Sequence, residues 1–173
     1  MIYQIFTTCL IFTFLSSCSP VSSSKRVSKE EVKKTLTIDQ DWLFWRGPDG
    51  SGVSKQTNLP DILSLDDESL LWSHEIQGGG VPVIAGGRAY QFGYYGVEEE
   101  LKEALVCFDA ASGEILWERT HSDFISDIVY NRYGVGAASV DPATGNVYFQ
   151  TSPGLLIGYD SDGNKLWERS LME

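Results

Sequence analysis

Few residues in this 173-residue chain have the type and spacing to do chemistry. The acidic stretch Asp160-Ser161-Asp162-Gly163-Asn164 has the outline of a calcium loop, in which successive oxygens surround the ion. A full cage also needs a later acidic ligand, and only Trp167 and Glu168 follow closely. A hairpin turn built on Asp162-Gly163 accounts for the stretch better. His74 and His121 are the only histidines, with no partner at ligand spacing, and both read as surface residues on strand ends or loops. Cys107 stands in the apolar run Leu105-Val106-Cys107-Phe108 and reads as a small buried hydrophobe, not a nucleophile. Asp109 and Asp160 occupy one recurring position, which suits a turn-former bonding its own backbone better than a catalytic acid. The residues nominate no catalytic, cofactor-binding or metal-ligating group.

The elements around these residues are more informative. From Trp42 onward, short apolar runs alternate with Gly, Asp, Asn and Pro, the spacing of short strands and tight turns. Val81–Ala85, Gly86-Gly87 and Arg88–Phe92 read as strand, two-residue turn, strand. Leu105–Phe108 runs into the turn Asp109–Gly113 and then Glu114–Trp117. Ala137–Val140, a turn over Asp141–Gly145 and Asn146–Thr151 make a further pair, and Leu155–Tyr159, Asp160–Gly163 and Asn164–Trp167 another. Leu-Trp recurs at 71–72, 116–117 and 166–167, with spacings of 45 and 50 residues. A period of this size built from about four strands is the signature of a propeller blade. One Trp per blade (Trp72, Trp117, Trp167) can fill the space between neighbouring twisted sheets, so Trp117 and Trp167 are expected to pack between blades. Glu98-Glu99-Glu100 with Glu103 lengthens one hairpin into an acidic loop, expected to be solvated or a partner-specific insertion.

The N-terminus reads differently. Ile2–Leu15 is uncharged and nearly all apolar or hydroxylic, the size of a signal-peptide core and short for a membrane span. Residues 2–6 carry no Lys or Arg, so only the terminal amine supplies the usual positive start. Leu15-Ser16-Ser17-Cys18 resembles a bacterial lipobox, in which the Cys is acylated and becomes the first mature residue. Residues 1–17 are therefore read as a signal peptide, with a lipoprotein preferred over plain secretion and over an uncleaved anchor. With Cys9 removed and Cys18 acylated, Cys107 has no disulfide partner. Ser19 after Cys18 favours the periplasmic face of the outer membrane. Residues 18–40 read as the lipidated Cys and a flexible tether. The folded body spans 41–173.

The formal charge is −11, and the one basic cluster, Lys25 to Lys34, lies in the tether. A body this acidic repels phosphate backbones, which excludes nucleic-acid binding. Apolar residues make up 42%, an ordinary globular balance that excludes collagen-like and wholly disordered chains.

Trp45-Arg46-Gly47-Pro48, Leu71-Trp72, Gly86-Gly87-Arg88-Ala89-Tyr90 and Asp109–Glu118 resemble the PQQ-like β-propeller repeat proteins, over roughly residues 41–173. The resemblance implies an all-β propeller of four-stranded blades, with Trp72, Trp117, Trp167, Asp109, Gly113, Asp160 and Gly163 as structural repeat positions. It also implies that Trp45–Pro48 marks the entry into the first blade, rather than a recognition loop with Arg46 over an aromatic face. The family spans quinoprotein dehydrogenases, an outer-membrane assembly lipoprotein and binding proteins without known chemistry. Its dehydrogenases use PQQ with calcium, a catalytic Asp and an adjacent cysteine pair, and this chain has no Cys-Cys pair. The expectation is a non-catalytic binding or scaffold module with an unidentified protein partner and no cofactor. The alternative is a PQQ-dependent oxidoreductase or its remnant. At 45–50 residues per repeat, residues 41–173 hold two to three blades, fewer than a closed ring uses. An incomplete ring is expected, as the N-terminal part of a longer propeller, with association of copies as the rival account.

Overall fold

The computed structural model describes residues 41–57, 59, 61–62, 64–66, 70–122 and 133–172. The signal segment, Cys18 and the tether lie outside the described residues. Gly86 and Gly87, at φ 55° and 76°, join β1 (Val83–Ala85) to β2 (Arg88–Tyr95). That is the backbone sense a two-residue hairpin requires and glycine adopts freely. β3 (Lys102–Asp109) and β4 (Ile115–His121) complete a four-stranded antiparallel sheet in sequence order. β5 (Ser139–Val140), β6 (Val147–Gln150), β7 (Leu155–Tyr159) and β8 (Lys165–Ser170) repeat the plan in a second sheet. These are two propeller blades, and no closed ring forms among the described residues. The third and fourth strands of each blade slip register at one equivalent place, Cys107/Phe108 and Gly158/Tyr159. A bulge there increases the local twist just before the Asp-led turn.

β3 shows why its sequence is a continuous apolar run and not an alternation. Leu105 and Cys107 face the second blade, packing with Val147, Phe149, Ile157 and Tyr159. Ala104, Val106 and Phe108 face the other way, against Trp72 and Ile76. A strand covered on both faces has no polar side to show. β8 stands at the other extreme, with Lys165 to Arg169 all exposed.

Two expectations need correction. Glu103 does not belong to the acidic loop: Glu98–Glu100 forms an exposed turn of 3-10 helix, whereas Glu103 lies inside β3 at 2% exposure. His121 is not a free surface residue either. It is partly buried at the end of β4, 3.2 Å from the Tyr159 hydroxyl, with its ring tilted against Phe149.

Candidate functional site

Three arrangements concentrate the polar and aromatic groups. The first is the seam between blades. The Trp72 indole N–H donates to the Ala110 carbonyl at 3.0 Å, and the Trp117 indole N–H donates to the Ser161 carbonyl at 2.9 Å. Each acceptor is the residue after the Asp that opens the turn, Asp109 or Asp160. Each turn also presents a positive-φ glycine to the indole. A Cβ on Gly113 would sit 2.5 Å from Trp72, and one on Gly163 would sit 2.7 Å from Trp117. Arg119 adds a hydrogen bond to the Gly163 carbonyl at 2.7 Å. Trp167, the third member of the repeat, is 42% exposed against 8% for Trp117.

The aspartates of these turns are occupied locally. Asp109 accepts from the Ala111 and Ser112 amides and the Ser112 hydroxyl. Asp160 accepts from the Asp162 and Asn164 amides and the Asn164 side chain, and Asp141 from the Ala143 amide and the Thr144 hydroxyl. The Asn164 side chain holds Asp160, and the Thr144 hydroxyl holds Asp141, below the ordinary carboxylate value of 3.8. A depressed folded value means that the turn bonds add stability above the unfolded carboxylate range and lose it on acidification through the folded value. In an NMR titration both carboxylates are expected to ionise below 3.8. A midpoint at or above that value would remove the turn-bonding account.

The second arrangement covers the inner edge. Trp42 pairs with Ile84, amide to carbonyl both ways at 2.7 and 2.9 Å, and the Gly86 amide donates to the Asp41 carboxylate at 3.1 Å. The Val140 amide of the second blade donates to the Leu43 carbonyl at 3.4 Å. Residues 41–43 thus lie along the inner strands of both blades. The chain then turns at Gly47, where the Trp42 ring leaves no room for a Cβ. Just before that turn Trp45, 65% exposed with Arg46 5.6 Å from its ring centre, borders a concavity of about 270 Å³. Val81 and Val135–Ser139 form the rest of the lining.

The third arrangement is a buried clasp. Glu103 accepts from the Gly134 amide at 3.0 Å, the Ser152 amide at 2.8 Å and the Ser152 hydroxyl. A carboxylate on the first blade therefore holds two loops of the second. Sequence reasoning missed it because Glu103 follows an acidic run. The signal available was the apolar stretch that begins at the next residue.

The family model described as outer membrane protein assembly factor BamB, PQQ_2, matches residues 60–173. The chain belongs to the PQQ_2 family. Among solved structures it is similar to the quinohemoprotein alcohol dehydrogenase from Comamonas testosteroni. That match has 19% identity and a TM-score of 0.48, covering 86% of this chain and 22% of that one. A europium-containing methanol dehydrogenase matches at 15% identity and a TM-score of 0.31, covering 80% of this chain and 33% of that one. The chain thus spans a third or less of the length of these proteins. No curated protein matches it.

For this PQQ_2 chain, the fit of a quinone and calcium can be tested on the donor set. PQQ carries several carboxylates and calls for cationic and hydrogen-bonding groups, and calcium calls for about 6–8 oxygens. The concavity offers mainly apolar side chains, and the adjacent Arg46 is stacked on Trp45 and bonded to the Ser51 carbonyl. Among the described residues no group of three or more His, Cys, Asp or Glu is placed to hold a metal ion. Cys107 is fully buried, and burial pushes its thiol up to about 11. The described residues do not fit the quinone–calcium pair.

Proposed function

We propose that this propeller fragment acts by binding protein, as a non-catalytic scaffold on an exported, lipid-anchored bacterial chain and as the N-terminal part of a longer propeller. One observation carries the reading. The side chains that could have done chemistry are consumed by the fold: Asp109, Asp141 and Asp160 bind their own turns, and Glu103 fastens two blades. What is left for contact with other molecules is surface, apolar at Trp45, Val135 and Trp167 and charged at Glu98–Glu100 and along β8, the material of protein recognition. The family's description as an outer membrane assembly factor supports a place at the periplasmic face of the outer membrane.

Two measurements on the full chain test the proposal. Incubation with PQQ and calcium, followed by desalting, should leave no quinone absorbance on the protein and no dye-linked alcohol oxidation. Retained absorbance or turnover would favour a quinoprotein oxidoreductase instead. For the anchor, metabolic labelling with a palmitate analogue should tag the wild type and spare Cys18→Ala. Equal labelling of the two would remove the lipoprotein claim.

A further inference from the structure

We infer that the hollow beside Trp45 is a docking pocket for a protein partner, and that it takes an extended segment with one large apolar side chain flanked by a carboxylate. The inference rests on the proposed reading that the fragment acts by binding protein. What it adds is the receiving site and the chemistry of the segment received.

The receiving groups are fixed before contact. The Gly47 amide donates to the Phe44 carbonyl at 2.9 Å and the Gly52 amide to the Arg46 carbonyl at 2.8 Å, so the backbone is held on both sides of Trp45 and Arg46. Trp42, itself paired with Ile84, packs its ring against Gly47. Trp45 is therefore shown to water from a braced loop, with 65% of its surface exposed. A group held in its bound position loses little entropy on docking. Val135, also exposed, borders the same hollow, and its other walls include the small residues Gly136, Ala137 and Ala138. Pockets that enclose small molecules run from about 300 to 1,000 Å³. A hollow of about 270 Å³ suits a single large side chain instead.

The charge beside the hollow selects what flanks that side chain. The Arg46 guanidinium lies 5.6 Å from the Trp45 ring centre, less than two residues of extended chain at roughly 3.3 Å each. One of its N–H donors goes to the Ser51 carbonyl at 3.1 Å, which orients the fork and leaves others for a carboxylate. Asp49 in the same loop gives its Oδ1 to the Ser51 amide and hydroxyl instead of to Arg46. One such guanidinium can meet one carboxylate, whereas the several carboxylates of PQQ ask for more.

The test uses the full chain and two probes that carry 4-fluorophenylalanine, acetyl-Glu-Phe-Glu-amide and acetyl-Lys-Phe-Lys-amide. Both are titrated by fluorine NMR at physiological salt, where exposed charges beyond about 8 Å are screened. The Glu probe should bind about fivefold tighter than the Lys probe. The chain's net charge of −11 alone would select the opposite order. Arg46→Gln should abolish the difference. Gly136→Leu should weaken both probes about tenfold by filling the hollow, since a Cβ there meets only Phe92, at 3.8 Å. Trp45→Ala, at an exposed position where folding is not at stake, should do the same. The inference is overturned if neither probe binds, if the Lys probe binds as tightly as the Glu probe, or if Trp45→Ala leaves both affinities unchanged. Weaker binding of the Glu probe as the protein is concentrated would also overturn it, because a second copy would then be the occupant. None of these failures touches the non-catalytic reading, which the quinone titration tests separately.

Discussion

Trp117→Ala is expected to lower the free energy of unfolding by about 3–5 kcal/mol, the range for removing a large buried aromatic. Trp167→Ala is expected to cost about 1 kcal/mol, near the level of a partly exposed substitution. Both residues sit in Leu-Trp-Glu-Arg, and local sequence predicts equal losses. The difference arises across the seam. Trp117 is 8% exposed, touches Tyr90 and Tyr159, and gives its N–H to the Ser161 carbonyl. Truncating it opens a cavity between two sheets and removes one of the two donors to that carbonyl, the Arg88 guanidinium being the other. Trp167 stacks on Tyr148 of its own blade and has water on its other side. Urea unfolding of the two variants beside the wild type measures both losses. Equal losses would mean that the flank of the second blade is covered in solution.

Glu103→Gln should cost about 3 kcal/mol, although it changes neither size nor shape. Hydrogen bonds to a buried ionised group are worth about 1.5–3 kcal/mol each, and an unsatisfied buried donor costs about 1–3. Donors meet both carboxylate oxygens: the Gly134 amide and Ser152 hydroxyl at Oε1, and the Ser152 amide at Oε2. Whichever oxygen becomes the amide nitrogen, an N–H then faces a backbone N–H that cannot turn away. Ser152→Ala removes the hydroxyl bond to Glu103 and keeps the amide bond, and should cost about 1 kcal/mol. The same urea series decides the point. If Glu103→Gln unfolds within about 0.5 kcal/mol of the wild type, the carboxylate does not hold the blades together.

The inner edge shows a tertiary role that local sequence does not carry. The resemblance implied that Trp45-Arg46-Gly47-Pro48 marks the entry to the first blade, and Gly47 makes a turn there, at φ 78°. Nothing local indicates that the preceding Trp42 pairs with Ile84, or that Leu43 reaches Val140 of the other blade. The run Gly78-Gly79-Gly80 has the composition of a loose loop. Gly80 instead passes so close to β2 that a Cβ would lie 2.1 Å from the Phe92 carbonyl. Close approach of two backbones depends on packing between distant segments and leaves only the glycine itself as a trace.

By itself the sequence determined the blade: its strands, its Asp-led turns, its period and its one tryptophan per repeat. These follow from forces acting within a few residues. An Asp carboxylate bonds amides two to four positions along, a glycine permits positive φ, and alternation or an apolar run sets how many faces a strand buries. Only the tertiary structure decided which tryptophan is buried, which glutamate is removed from water and what lies on the inner edge. Trp117 and Trp167 have the same neighbours in sequence, and Glu103 follows three glutamates that stay exposed. Their environments are set by groups 31 to 49 residues away, the Gly134 and Ser152 amides and the Ser161 carbonyl, or by the lack of an equivalent group among the described residues. Burial is a property of the pair of surfaces that meet, and one strand's sequence describes only its own side of the contact.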